Sequence, residues 1–126
     1  MHNGWLVSGS IDQKIKVWRK VDYECIYTLE GHTNSVSSIK QLPNNDLVSI
    51  SLDRRIIVWS FNESFKKVKE WDTGSDGYCL CIIDNDRIAS GHADNIIRIW
   101  NHSTKELVAK LEGHSGRVSE IGRAHV

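Results

Sequence analysis

His32, Ser49 and Asp53 carry the side chains of a nucleophilic relay: an acid, a base and a hydroxyl. Such a relay needs one exposed serine beside an oxyanion hole, and a site holds one of them. Here the set is repeated. Ser8, Ser49 and Ser90 lie 41 residues apart, and Asp12, Asp53 and Asp94 each follow their serine by four. Recurrence at fixed spacing assigns these residues to architecture, so no catalytic residue is read. Cys79 and Cys81, two apart on one strand face, raise the question of a thiolate clamp. Zinc takes four ligands, and neither Cys25 nor the six histidines supplies a matching second pair. The two cysteines read as small apolar residues of an inner strand. With no phosphate-cradling glycine loop and no paired catalytic carboxylates, no metal or cofactor is expected.

The elements that hold these residues follow from the stretch 47–59. Residues 47–52 are apolar and hydroxyl, Asp53 and Arg54 make a turn, and residues 55–59 place Ile57 and Trp59 on one face with Ile56 and Val58 on the other. Both faces are largely apolar, which suits a strand inside a stack of sheets. The hairpin occurs three times, ending on Trp18, Trp59 and Trp100, with Ile15 and Val17, Ile56 and Val58, Ile97 and Ile99 before the tryptophans. A period of 41 with four short strand signals is that of a propeller blade and lacks the apolar spacing of a helical repeat.

With these residues the chain resembles the WD40 repeat family over residues 6–119. The closing dipeptides are Trp18-Arg19, Trp59-Ser60 and Trp100-Asn101, so the family's second letter is missing from all three, while the literal Trp71-Asp72 lies in an outer strand. Gly31-His32 and Gly113-His114, two periods apart, precede inner strands; Gly91-His92 falls inside a second strand. The resemblance implies a structural tetrad in which His32 bridges Asp53 and Ser49, and Ser49 takes the indole N–H of Trp59. Ser8, Asp12 and Trp18, then Ser90, Asp94 and Trp100, are its partial copies, and His114 would open another. The third copy has Asp72-Thr73-Gly74-Ser75 where a histidine is expected, so its blade should be the less rigid. His2 is at the wrong spacing to serve the first. The resemblance also implies a partner-binding top face, which the 41-residue register assigns to Ile11, Ser35, Ser37, Leu52, Asp76, Tyr78, Ala93, Arg117 and Ser119. Tyr78 and Arg117 are its strongest anchors by residue type.

The expected fold is therefore all-β: a partial WD40 β-propeller of three four-stranded antiparallel blades, the first lacking its inner strand, plus the start of a fourth. Blades are placed at about 5–30, 31–71 and 72–112, with the next beginning at 113–119. Predicted strands run 5–10, 14–18 and 23–29, then 36–42, 47–52, 55–59 and 65–71, then 77–83, 87–92, 96–100 and 107–111. Pro43 starts a turn, where it removes no ladder bond. Residues 120–126 leave the strand pattern and match what a common sequencing adapter encodes in frame. They are read as a non-native tail and the chain as a fragment of a longer open reading frame, which leaves open whether Met1 is the true start. Propellers close with four to eight blades, so the remaining blades are expected from a longer chain, with a homo-oligomer as the second choice.

Composition bounds the rest. The 126 residues are 40% apolar and 25% charged with zero formal net charge, which gives no field favouring nucleic acid or an anionic membrane. The Lys66-Lys67-Val68-Lys69 run reads as a solvated outer edge. Three cysteines at unrelated spacings suggest a reducing compartment, hence cytoplasm or nucleus. The expected function is a protein-interaction scaffold without catalysis, binding other proteins or peptides. The alternative is the substrate-recognition propeller of a ubiquitin ligase or other enzyme complex whose catalytic parts lie elsewhere.

Overall fold

Alternation of apolar residues on both faces produces sheets that pack on each other, and this is what the computed structural model, which describes residues 5–122, contains. The first sheet holds β1 (Trp5–Gly9), β2 (Lys14–Arg19) and β3 (Cys25–Glu30). The second holds β4 (Val36–Gln41), β5 (Leu47–Ser51), β6 (Arg55–Ser60) and β7 (Lys66–Asp72). The third holds β8 (Gly77–Ile82), β9 (Arg87–His92), β10 (Ile96–Asn101) and β11 (Glu106–Glu112). Each sheet is an antiparallel meander in chain order, three-stranded in the first case and four-stranded in the others.

The repeating aspartate makes the central hairpin. Asp12, Asp53 and Asp94 each accept the backbone N–H two residues on, from Lys14, Arg55 and Ile96, at 3.0, 2.8 and 3.3 Å. The residue between or beside them, Gln13, Arg54 and Asn95, takes φ of 74, 69 and 70°. An aspartate that folds its side chain back over the turn stabilises that left-handed position.

Bulges then aim individual side chains. The pairing of the third and outer strands shifts at Trp18, Trp59 and Trp100, and that of the first two strands shifts across Ser37 and Tyr78. An extra residue in one strand bends it and redirects the side chain.

Two cores lie at the seams between sheets. Ile15, Val17 and Leu29 of the first sheet meet Val36, Leu47, Ile57 and Trp59 of the second, with Phe65 beside them. On the second sheet's other face, Leu42, Val48, Ile50, Ile56 and Val58 meet Leu80, Ile88 and Trp100 of the third. Each seam admits close approach through one glycine. A Cβ on Gly9 would lie 2.6 Å from Val36 Cγ1, one on Gly91 2.7 Å from Val118 Cγ1, and one on Gly77 would collide with Ile50.

Tyr23 and Phe65, predicted to open the outer strands, are turn residues with φ of 59 and 61°; those strands begin two residues and one residue later, at Cys25 and Lys66. The stub after β11 forms no strand in its described part, although Val118 is buried and its N–H donates to His92 O at 3.0 Å. That bond repeats the one from Val36 N to Ser10 O between the first two sheets. Residues 123–126 of the expected tail lie outside the described residues, as does His2.

Candidate functional site

In the second sheet the repeat brings four side chains together. Ser49 sits on β5 and Trp59 on β6, adjacent paired strands, and the indole Nε1–H donates to Ser49 Oγ at 2.9 Å. His32 comes from the loop before β4, with Nε2 2.7 Å from Ser49 Oγ and Nδ1 2.9 Å from Asp53 Oδ2. The distances fit a neutral imidazole that donates from Nδ1 to the carboxylate and accepts the serine proton at Nε2. Burial pushes the imidazole below its ordinary value, against the pull of Asp53. Burial alone would raise Asp53, but the Thr33 N–H, His32 and the Arg55 N–H hold it below the usual carboxylate range. Ser49 is fully buried with its proton and one lone pair committed, so it has no access to a substrate and no free proton path. The network satisfies buried polar groups, as a structural rivet does.

The third sheet reaches the same end by another route. Trp100 Nε1–H donates to Ser90 Oγ at 2.8 Å, and the imidazole on that serine is His92, from β9 itself, with Nε2 2.6 Å away. The loop 72–75 offers no histidine, as its sequence reads, and the register did not point to His92 as a substitute. The serine's partner comes from two residues along the same strand. Thr73, at the loop position of His32, instead places its hydroxyl on Arg54 O at 2.9 Å. Asp94 turns to Arg98, whose Nη1 and Nη2 lie 3.0 and 2.6 Å from its oxygens. That pair, led by the hydrogen bond, keeps Asp94 below the carboxylate range.

In the first sheet Trp18 Nε1–H donates to Ser8 Oγ at 2.9 Å, and Asp12 serves only its turn. These two lie on the flank away from the second sheet, where Leu6, Val7, Ser8, Trp18 and Tyr23 line an open cavity of about 490 Å³. His114 is exposed and makes no hydrogen bond among the described residues.

The residues assigned to the top face gather at the loop end of the sheets. Arg117 stacks over Tyr78 at 5.2 Å from the ring centroid. Leu52 N–H donates to Ser35 O at 3.1 Å and Ala93 N–H to Asp76 O at 3.0 Å, so these positions are paired across each sheet. Ile11 is 84% exposed, and Arg117 and Ser119 are exposed; Leu52, Asp76, Tyr78 and Ala93 are half-buried. Ser37 turns its hydroxyl onto Gly77 O and Ile50 O, which fastens the second sheet to the third and leaves it only lone pairs to offer.

Sequence reasoning missed His92, Arg98 and His102. His102 is buried at the opposite end, Nε2 2.8 Å from Asn85 O. The available signal was departure from the register: Arg98 stands where the other copies have Ile57 and Lys16, and His102 where they have Phe61 and Lys20. Cys79 is buried, its thiol raised above the ordinary value by burial, and the described residues hold no cluster fit for a metal ion.

Meandering antiparallel sheets stacked face to face, each with an indole N–H on a strand serine and two of them with an imidazole on that serine, define a segment of β-propeller. The chain belongs to the WD40 repeat family, whose profile, described as WD domain, G-beta repeat, matches residues 2–19, 23–60 and 66–101. The second and third matches begin at an outer strand and end on the tryptophan strand, so the sequence repeat is offset by one strand from the sheet.

Among curated proteins, the chain is 25% identical over 122 residues to Autophagy-related protein 16 of Arabidopsis thaliana, covering 94% of this chain and 24% of that protein. It is 30% identical over 126 residues to Pre-mRNA-processing factor 19 of Oryza sativa subsp. japonica, covering 91% and 23%. Among solved structures, the WD40 beta propeller domain of Doa1 superposes with a TM-score of 0.79 at 25% identity, covering 93% of this chain and 39% of that one. U3-55K gives 0.81 at 24% identity, covering 91% and 36%. The chain thus spans about a quarter of these curated relatives and less than two-fifths of these solved chains.

Proposed function

We propose that this chain is part of a protein-interaction scaffold, and that it binds other proteins or peptides at the loop end of its sheets without catalysis of its own. The observation that carries the reading is the Tyr78–Arg117 stack, which presents an aromatic ring and a guanidinium side by side. Tyrosine and arginine supply much of the binding energy at protein interfaces when packed at the centre of a patch. Neither a nucleic acid nor a membrane is proposed as partner: net charge is zero, and no helix among the described residues is long and apolar enough to cross a bilayer. Cytoplasm or nucleus is the proposed location, on the strength of three free cysteines and of a relative named as a pre-mRNA-processing factor. The remaining blades are proposed to come from a longer chain, with residues 120–126 as a non-native tail.

Partner recovery by the wild-type chain, by Tyr78→Ala with Leu52→Ala, and by Lys66→Ala on the outer edge tests the reading. Loss confined to the loop-end variant supports it. Equal recovery by all three refutes it.

A further inference from the structure

The imidazole of His92 performs two tasks that the second sheet divides between two residues. By the 41-residue register, position 92 corresponds to Ser51, whose hydroxyl donates to the loop carbonyl of Asn34 at 3.1 Å. His92 Nδ1 meets the carbonyl of Ser75, the same loop position one period later, at 3.0 Å. Its Nε2 also reaches Ser90 Oγ, which is the work of His32 in the second sheet. A single side chain therefore ties strand, loop and tryptophan together, provided that it stays neutral with the proton on Nδ1.

The charges facing the two imidazoles differ. His32 Nδ1 points at the carboxylate of Asp53, which would balance a proton on the ring. His92 Nδ1 points at a carbonyl, and the nearest carboxylate, Asp94, is held on both oxygens by Arg98. Burial opposes charge on His92 most strongly and Arg98 adds to that, against the backbone of Ser75 and Asp76 and the more distant Asp94. On protonation Nε2 changes from acceptor to donor. Ser90 already accepts the Trp100 N–H, so its own proton would be left with Arg98 O at 3.5 Å, too long for a good bond.

We propose that the third sheet is the more acid-responsive of the two: proton uptake by His92 unfastens Ser90 and loosens the loop 73–76 together with the start of β8, while the second sheet, where Asp53 faces the ring proton of His32, responds less. The sign follows from which form the fold favours. A buried neutral imidazole contributes its stability in full above the unfolded value near ~6.5 and loses it as pH falls below that value. Because Asp76 and Tyr78 ride on this loop, acid would also weaken docking at the loop end. That last consequence rests on the proposed scaffold role; the test below uses no partner, so the two can fail separately.

Amide exchange protection, corrected for intrinsic rates, is measured in the full chain at about pH 7.5 and about pH 5.5, either side of the ordinary imidazole value. Amides of β8 and β9 are expected to lose protection about tenfold more than those of β4 and β5, the equivalent of a one-unit shift. His92→Gln should abolish the difference between the two pH values. Equal acid loss in both sheets, or a response that survives His92→Gln, overturns the proposal. Side-chain NMR of the unsubstituted chain gives an independent reading: His92 should remain the neutral Nδ1–H form below the ordinary imidazole range. Titration of His92 at or above ~6.5 overturns the proposal whether or not the variant folds.

Discussion

Ser49→Ala removes one oxygen and leaves two buried groups without partners, Trp59 Nε1–H and His32 Nε2. Ser49 is fully buried and the side chain of His32 is 1% exposed, so water does not replace what is lost. A buried polar group left unsatisfied costs about 1–3 kcal/mol, which for two groups that share one cavity gives a total of about 2–4 kcal/mol. Ser8→Ala removes the same oxygen from Trp18, but on an exposed flank where water takes its place, and should cost under about 1 kcal/mol. Urea unfolding followed by tryptophan fluorescence separates them. With a slope of about 1–2 kcal/mol per molar for a chain of this size, Ser49→Ala should lower the midpoint by about 2 M at unchanged slope, and Ser8→Ala by less than about 0.7 M. Equal midpoints for the two variants, or a Ser49→Ala midpoint within about 0.3 M of the original, would refute the reasoning that buried partners set the cost.

Gly77→Val should destabilise by about 1–3 kcal/mol, because its Cβ enters the space of Ile50 Cγ1 and Cδ1; adding Ile50→Gly should recover most of that loss in the same urea assay. Asp84, held down to about 2 by the Arg87 side chain first and by the Asp86 and Arg87 N–H groups, should still be ionised when unpaired exposed carboxylates have protonated, and Arg87→Ala should raise it part of the way back in a carboxyl NMR titration. The sign is that of a depressed carboxylate: its contribution is present above the unfolded value near ~3.9 and is lost as pH falls through about 2. Cys79, buried under Val118 and with its thiol raised by burial, should be alkylated more slowly than Cys25 or Cys81, as peptide mass spectrometry over a time course would show.

The sheets were legible in the sequence because each is a local hairpin meander whose turns carry their own chemistry: an aspartate that bonds two residues ahead favours the hairpin turn through local contacts alone. Strand pairing and the seam-facing sides of Ile15, Ile56, Trp59 and Trp100 follow from that register. The starts of the outer strands were less legible, since Tyr23 and Phe65 have strand-forming side chains but are held in left-handed turns, and Phe65 is buried from that turn. The rewired third network was not legible at all. His92 looks like an ordinary strand residue until its reach back to Ser90 is seen, and Arg98 looks like a lost apolar position until Asp94 is found beside it.

Both kinds of departure obey one rule: a requirement is met by a pair, and either member can meet it. At the first seam the glycine is on the earlier sheet, Gly9 against Val36. At the second it is on the later one, Ile50 against Gly77, and at the third it returns to the earlier one, Gly91 against Val118. Close packing fixes the volume across the seam and not the residue at either position. In the same way the buried indole and serine require an imidazole acceptor and the turn aspartate requires a positive or donating partner, and the third sheet supplies these from His92 and Arg98 in place of a single loop histidine. Dividing those two tasks removes the carboxylate from the imidazole's ring proton, which is why the two sheets, alike in shape, should answer differently to acid.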